Sequence, residues 1–227
     1  MSAAVATPPP AQPAAPLIPV SAPPTLASAT SGPPATVPTD QLWRLSVADY
    51  HKMLEVGIFH SGDPVELLDG LLVRKMPKNP PHVVACRRVN RALAAILPAG
   101  WLVWSQDPIT LGDDSEPEPD LMLVRGTEEE FESTHPAPAA VQVVVEVSHT
   151  TLSRDRSRKG SIYARNGIFT YWIVNLVDHT LEVYAAPAAG MYTTARTLTA
   201  AEQADLVLDG VVVGTVAVAD LFPASPG

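Results

Sequence analysis

The run Val143-Val144-Val145-Glu146-Val147 constrains this chain more than any other segment. A near-continuous β-branched run is the pattern of a strand covered on both faces. Glu146 sits inside it. On the two-residue period of a strand, Gln142, Val144, Glu146 and Ser148 share a face, so one side of this strand turns polar toward its end. A carboxylate in such a place must be paired, protonated or metal-bound, because burying it alone is very costly.

The flanking segments supply what would cover that strand. Ser46-Val47-Ala48-Asp49 reads as a capping-box-like helix start, followed by Tyr50, Met53 and Leu54 at helical spacing. Asp69-Gly70 between the apolar runs Val65–Leu68 and Leu71–Val73 predicts a hairpin. Pro80 to Leu97 predicts a long amphipathic helix with Val83, Val84, Val89, Leu93, Ile96 and Leu97 inward and Arg87, Arg88 and Arg91 on the other face. Strands are predicted at 101–106, 121–124 and 141–147, with a loop over 128–138 that has room for one helical turn. A second helix, from about Ser153 to Arg165, stops at Asn166-Gly167. Strands at 169–175 and 181–184 and two later Val-rich runs are expected to complete the sheet. Many strands interleaved with few helices argue for an α/β (mixed α+β) domain, a mixed sheet with helices packed against it.

Two further charges fall where local pattern leads inward. Asp120 follows Pro119, which holds the chain extended, and immediately precedes the apolar run 121–124. On the second helix, Leu152, Lys159, Ile162 and Tyr163 form the inward stripe, while Arg154, Arg156 and Arg158 can reach water from other faces. Alone, Asp120 reads as a turn residue and Lys159 as a snorkelling cation, and Glu146 and Lys159 could form a structural bridge. Together, two carboxylates on neighbouring strands and an inward lysine suit phosphodiester hydrolysis. The acids would hold Mg²⁺ or Mn²⁺, hard cations that prefer oxygen ligands, and the lysine would orient water or stabilise the transition state.

The first 39 residues are of another kind. Eleven of the 24 prolines lie before Asp40, in an Ala, Pro, Ser, Thr and Val stretch without Lys or Arg. Such a composition cannot bury enough surface to offset its ordering entropy, so residues 1–39 read as a disordered tail and residues 40–227 as one domain. Proline interrupts every run that could serve as an export signal, and no stretch approaches the roughly 18–20 apolar residues needed to cross a bilayer. Cys86 is the only cysteine, which rules out an internal disulfide. A cytoplasmic protein is the simplest expectation, with no membrane partner. The net charge of −9 weighs against a large non-specific nucleic-acid surface, though not against a small acidic metal site with local basic patches.

Glu118-Pro119-Asp120-Leu121, Val144-Val145-Glu146-Val147-Ser148, and Asp155-Arg156-Ser157-Arg158-Lys159 with Tyr163-Ala164 resemble, in order, the core motifs of the Uma-two family of restriction endonucleases. That family belongs to the PD-(D/E)xK nuclease superfamily. Glu66-Leu67-Leu68-Asp69-Gly70, Pro81-His82 and Tyr171-Trp172-Ile173-Val174 extend the resemblance over roughly residues 44–222. It implies a restriction-endonuclease-like central sheet flanked by helices, and an Mg-dependent endonuclease acting on nucleic acid, DNA first. It implies that Asp120 and Glu146 bind the metal and that Lys159 takes the place of a lysine that in the simplest pattern lies at Ser148. Glu66 matches an acid brought in from the first hairpin, either a further ligand or a solvated strand residue. His82 could bind phosphate or donate a proton, or simply start the helix, and Cys86 reads as a small buried hydrophobe. The chain departs from the family pattern at Leu71, where many members carry an acid, and at His149. The strands near the C-terminus offer edges for a homodimer.

Overall fold

A computed structural model describes residues 42–224; the tail expected over residues 1–39 lies outside them. Ser46 caps α1, Val47–Glu55, and the capping box is complete: its Oγ accepts from the Asp49 N–H, and the Asp49 carboxylate accepts from the Ser46 N–H. β1, Val65–Leu68, and β2, Leu71–Arg74, form the hairpin expected at Asp-Gly, with Asp69 at φ 51° and Gly70 at φ 71°. The Asn79 side chain accepts from the His82 N–H at the start of α2, Pro80–Ala94, where prolines in the first turn have no N–H to satisfy. Ile96 and Leu97 lie beyond the end of this helix, and Val84 is 41% exposed rather than inward. Two short turns, Glu128–Phe131 and Pro138–Ala140, interrupt the loop after the second strand of the main sheet, where the sequence left room for one.

The main sheet has six strands in the order β3 (Trp101–Trp104), β4 (Leu121–Arg125), β5 (Val141–Ser148), β6 (Thr170–Asn175), β7 (Thr180–Ala188) and β8 (Met191–Thr199). Only β5 and β6 run parallel. A parallel pair needs a crossover, and here the chain between them forms α3, Leu152–Arg154, a π-helical turn over Asp155–Lys159, and α4, Gly160–Arg165.

Alternation along β5 divides the core. Val143, Val145 and Val147 pack with Ala85, Val89 and Leu93 of α2, whereas Val144 packs with Ile162 and Tyr163 of α4. Glu146 shares the parity of Val144. The strand is therefore covered on both faces, as its composition requires, and its one acid points toward the crossover helix.

Two expectations about strands do not hold. The late Val-rich runs, β9 (Gln203–Leu208) and β10 (Val211–Ala217), form a separate hairpin whose Leu206, Leu208 and Val216 cover the α2 side of the core. The sheet is completed instead by β8, an edge strand rich in Thr and largely exposed. Apolar alternation says that a strand has an inner face; it does not say which sheet supplies the neighbour.

Candidate active site

The site lies where β4 begins and β5 ends. Leu121 pairs with Val145 across the antiparallel ladder, which sets Asp120 beside Glu146. The Val147 N–H donates to Asp120 Oδ2 at 2.9 Å, tying the acid to the neighbouring strand. His82 Nε2 lies 3.1 Å from the same oxygen, so the first turn of α2 braces it from the other side. Glu66, on β1, turns inward and is almost wholly buried; the solvated alternative for this residue does not hold.

Lys159 joins the hairpin acid to the strand acid. Its Nζ lies 2.7 Å from Glu146 Oε1 and 3.2 Å from Glu66 Oε2. The Tyr163 hydroxyl donates to the same Glu146 oxygen at 2.7 Å. The π turn explains how one short segment serves two purposes. Asp155 and Lys159 at its ends are buried, while Arg156 and Ser157 between them stay exposed. Asp155 accepts from Ser148 Oγ at 2.8 Å and from Thr151 Oγ1 at 2.6 Å, fixing the start of the crossover to the end of β5.

These residues line one cleft of about 420 Å³, with Glu66, Asp120, Glu146, Asp155 and Lys159 in its wall. Burial opposes ionisation of Asp120, but hydrogen bonding and charge from His82, the Val147 N–H and Lys159 outweigh it and hold the carboxyl below the usual aspartate range. Burial pushes Glu146 up to about 8; Lys159 opposes this, and Asp155, Asp120 and Glu66 add to it. Beside an ammonium at 2.7 Å a lone glutamate would titrate low. The upward direction follows from desolvation and from Asp155, Asp120 and Glu66, which together outweigh Lys159. Burial pulls Lys159 down, yet Glu146, Glu66 and Asp155 more than reverse it, so the lysine stays protonated.

The carboxylate oxygens in this wall are the kind of donor that a hard divalent cation prefers. Glu66 Oε1 is buried without a hydrogen-bond partner, and Arg154 Nη2 lies 3.9 Å from it. An orphaned carboxylate oxygen in a wall that also holds Asp120 and Glu146 is what such a cation would satisfy. Beside it lies a softer corner, where His82, Cys86 and Asp120 offer ligand atoms within 4.8 Å of one another. Cys86 Sγ is 3.5 Å from His82 Nδ1. Burial and then Asp120 push the thiol far above its ordinary value, so it remains a neutral, apolar-like group.

The structure thus brings together all four residues singled out in the sequence: Glu66, Asp120, Glu146 and Lys159. It also shows neighbours that sequence reasoning missed. Asp155 lay within an arginine-rich stretch that looked solvated, and the polar pair Ser148 and Thr151 ahead of it was the signal available. Arg154 was expected to reach water, but its side chain turns into the cleft, with Nε buried near Asp155. Lys75 of the first hairpin pairs with Glu118 at 2.6 Å and also lines the cleft.

Among the described residues no helix is long and apolar enough to cross a membrane. Comparison with curated proteins gives no match. A solved structure titled as a putative nuclease belonging to DUF820, from Anabaena variabilis, superposes with a TM-score of 0.60. The match covers 78% of this chain and 97% of that one at 14% identity, which establishes a shared fold. The Uma2 (Uma-two) family model, described as "Putative restriction endonuclease", matches residues 47–217. The motifs around Asp120, Glu146 and Lys159, the mixed six-stranded sheet and this match agree: the chain belongs to the Uma2 family.

Proposed function

We propose that this protein is a metal-dependent endonuclease that hydrolyses phosphodiester bonds in nucleic acid, DNA in the first instance. The observation that carries the reading is the convergence of Glu66, Asp120 and Glu146 on one cleft together with Lys159, from four separate segments of the chain. Nothing in the packing of a sheet requires three buried acids at one strand end, and their mutual repulsion costs stability in the absence of a cation.

Glu66, Asp120 and Glu146 would hold Mg²⁺ or Mn²⁺. The ion supplies charge neutralisation at the phosphate and a water of lowered pKa. Asp120 is held ionised and oriented by His82 and the Val147 N–H, so its geometry does not have to be found anew at each turnover. Lys159, held between Glu66 and Glu146, would place its ammonium to meet the developing charge on the phosphate oxygens. Tyr163 then remains as the hydrogen-bond donor that fixes Glu146.

The second reading is a catalytically silent module that keeps the nuclease fold for binding. One observation favours it: Lys159 Nζ lies 2.7 Å from Glu146 Oε1, the geometry of a purely structural bridge. Metal binding separates the two. Mg²⁺ or Mn²⁺ at millimolar concentration should raise the melting temperature through mass action, and Asp120→Ala or Glu146→Ala should each remove the response. Loss of the response in the wild type, both alone and with an oligonucleotide present, would overturn the metal-dependent reading.

A further inference from the structure

The cations of this acidic protein are unevenly committed. Of its 15 Lys and Arg side chains, eight form ion pairs with Asp or Glu among the described residues. Four of the remaining seven are Lys78, Arg87, Arg88 and Arg91, on α2 or just ahead of it. Among the described residues none of these four has a carboxylate partner. In a chain of net charge −9, four cations on or beside one helix with no acid within ion-pairing distance stand out.

This face is also concave. Lys78, Arg87, Asn90, Arg91, Ser105 and Gln106 line a groove of about 480 Å³ whose inner end is Asp120. Lys78, Gln106 and Asp120 border the acidic cleft as well, so groove and cleft are continuous. The Asn90 side chain donates to Ser105 Oγ at 2.9 Å, joining α2 to the end of β3 and fixing the groove floor. Gln106, exposed at the junction, has φ 64°, a conformation that a glutamine adopts only at a cost. Arg87 and Arg91 stand one turn apart on a rigid helix, about 6 Å along its axis, an interval short enough for neighbouring phosphates of one strand.

We propose that this groove is the track for the substrate's nucleic-acid backbone. Lys78, Arg87 and Arg91 seat phosphates upstream of the scissile bond, and Gln106 contacts the nucleotide where the strand passes into the acidic cleft. The proposal rests on the nuclease reading for what happens at the end of the track, not for the binding itself. A protein partner would need acidic side chains in register with the three cations; a nucleic-acid backbone carries charge at a fixed repeat and meets the helix with no further condition. The small extent of this face reconciles nucleic-acid binding with an acidic protein, because only a few phosphates need to be met.

The test is fluorescence anisotropy with labelled single-stranded and double-stranded DNA, using the full chain in EDTA so that no cleavage intervenes, at salt from about 50 to 200 mM. The variant Lys78→Gln/Arg87→Gln/Arg91→Gln should lose about tenfold or more in affinity at the lowest salt. Its plot of log affinity against log salt should flatten by about 2–3, since each lost phosphate contact removes about 0.7–0.9 from the slope. The charge-preserving Arg87→Lys/Arg91→Lys should keep the wild-type slope, and Arg196→Gln, an unpaired cation on β8, should leave both affinity and slope unchanged. A triple variant that melts and binds like the wild type overturns the proposal, and so does a wild type that does not bind. If the triple variant loses binding while the wild type proves unable to cleave with any divalent ion, the track stands and the hydrolytic reading falls. If the wild type cleaves and the triple variant binds normally, the track falls and the hydrolytic reading stands.

Discussion

The Lys159 ammonium lies 2.7 Å from Glu146 Oε1, and both side chains are almost completely buried. The lysine therefore has two duties, neutralising acids at rest and meeting phosphate during reaction. Lys159→Met keeps the unbranched stem and the helix propensity. It leaves buried carboxylates without their cation, a change that typically costs about 3–5 kcal/mol. Thermal melting without metal should show a loss of that order, partly recovered by Mg²⁺. Hydrolysis under conditions where the variant is folded should fall by about two to three orders of magnitude, the expected loss of one electrostatic stabiliser. A folded variant that cleaves like the wild type would remove Lys159 from the mechanism.

The surplus of acids makes the metal-free protein pH-sensitive. Glu146 titrates at about 8 in the folded state, well above its ordinary value of 4.5. Between those two values the folded protein holds a proton that the unfolded chain has released, so this group lowers stability as pH rises through that window. Below it both states are protonated and above it both are ionised, and the contribution levels off. Glu146→Gln should remove this part of the pH dependence and raise the melting temperature of the metal-free protein at pH 8 relative to wild type. Melting curves at pH 5, 6.5 and 8 in EDTA check the sign. An unchanged pH profile in the variant would mean that Glu146 is ionised throughout.

Arg156, one residue beyond Asp155 in the π turn, supplies a structural contrast. Its guanidinium makes a two-pronged contact with Glu182 on β7, Nε to Oε2 at 2.9 Å and Nη2 to Oε1 at 2.6 Å. Tyr184 and Asn175 donate to the same carboxylate. Burial would raise the Glu182 pKa, but hydrogen bonds from Arg156, Tyr184 and Asn175 outweigh it and lower it. That stability is present above the ordinary glutamate range and is lost as pH falls through the depressed value. Arg156→Ala should cost about 1.5–3 kcal/mol, the range for hydrogen bonds to a charged group, with kcat and metal response unchanged under folding conditions. Chemical denaturation and a cleavage assay on one preparation would check this. A fall in cleavage without a fall in stability would place Arg156 in the reaction instead.

How much of this was legible depends on the residue. Glu146 stood out because a carboxylate in a valine run must be paired, protonated or metal-bound, and the Asp69-Gly70 turn specified its hairpin through backbone conformation alone. Lys159 could be placed by helical period, which survives the π turn because Asp155 and Lys159 bracket it. Asp155 could not be placed, since an acid among arginines matches a solvated helix, and its partners Ser148 and Thr151 lie in other elements. β8 was hidden because an edge strand half in solvent needs no apolar run. The contact of His82 with Asp120 spans 38 residues and depends on how α2 docks, information that no local pattern carries.

The central claim is that the acids at the end of β5 catalyse phosphodiester hydrolysis with a divalent ion. The most direct measurement is cleavage of an end-labelled DNA duplex by wild type, Asp120→Asn and Glu146→Gln, each with Mn²⁺, with Mg²⁺ and with EDTA. Cleavage by the wild type with a divalent ion, none in EDTA, and a loss of at least about 100-fold in both variants is the expected result. Cleavage that persists undiminished in folded Asp120→Asn and Glu146→Gln, or that proceeds equally well in EDTA, would contradict it.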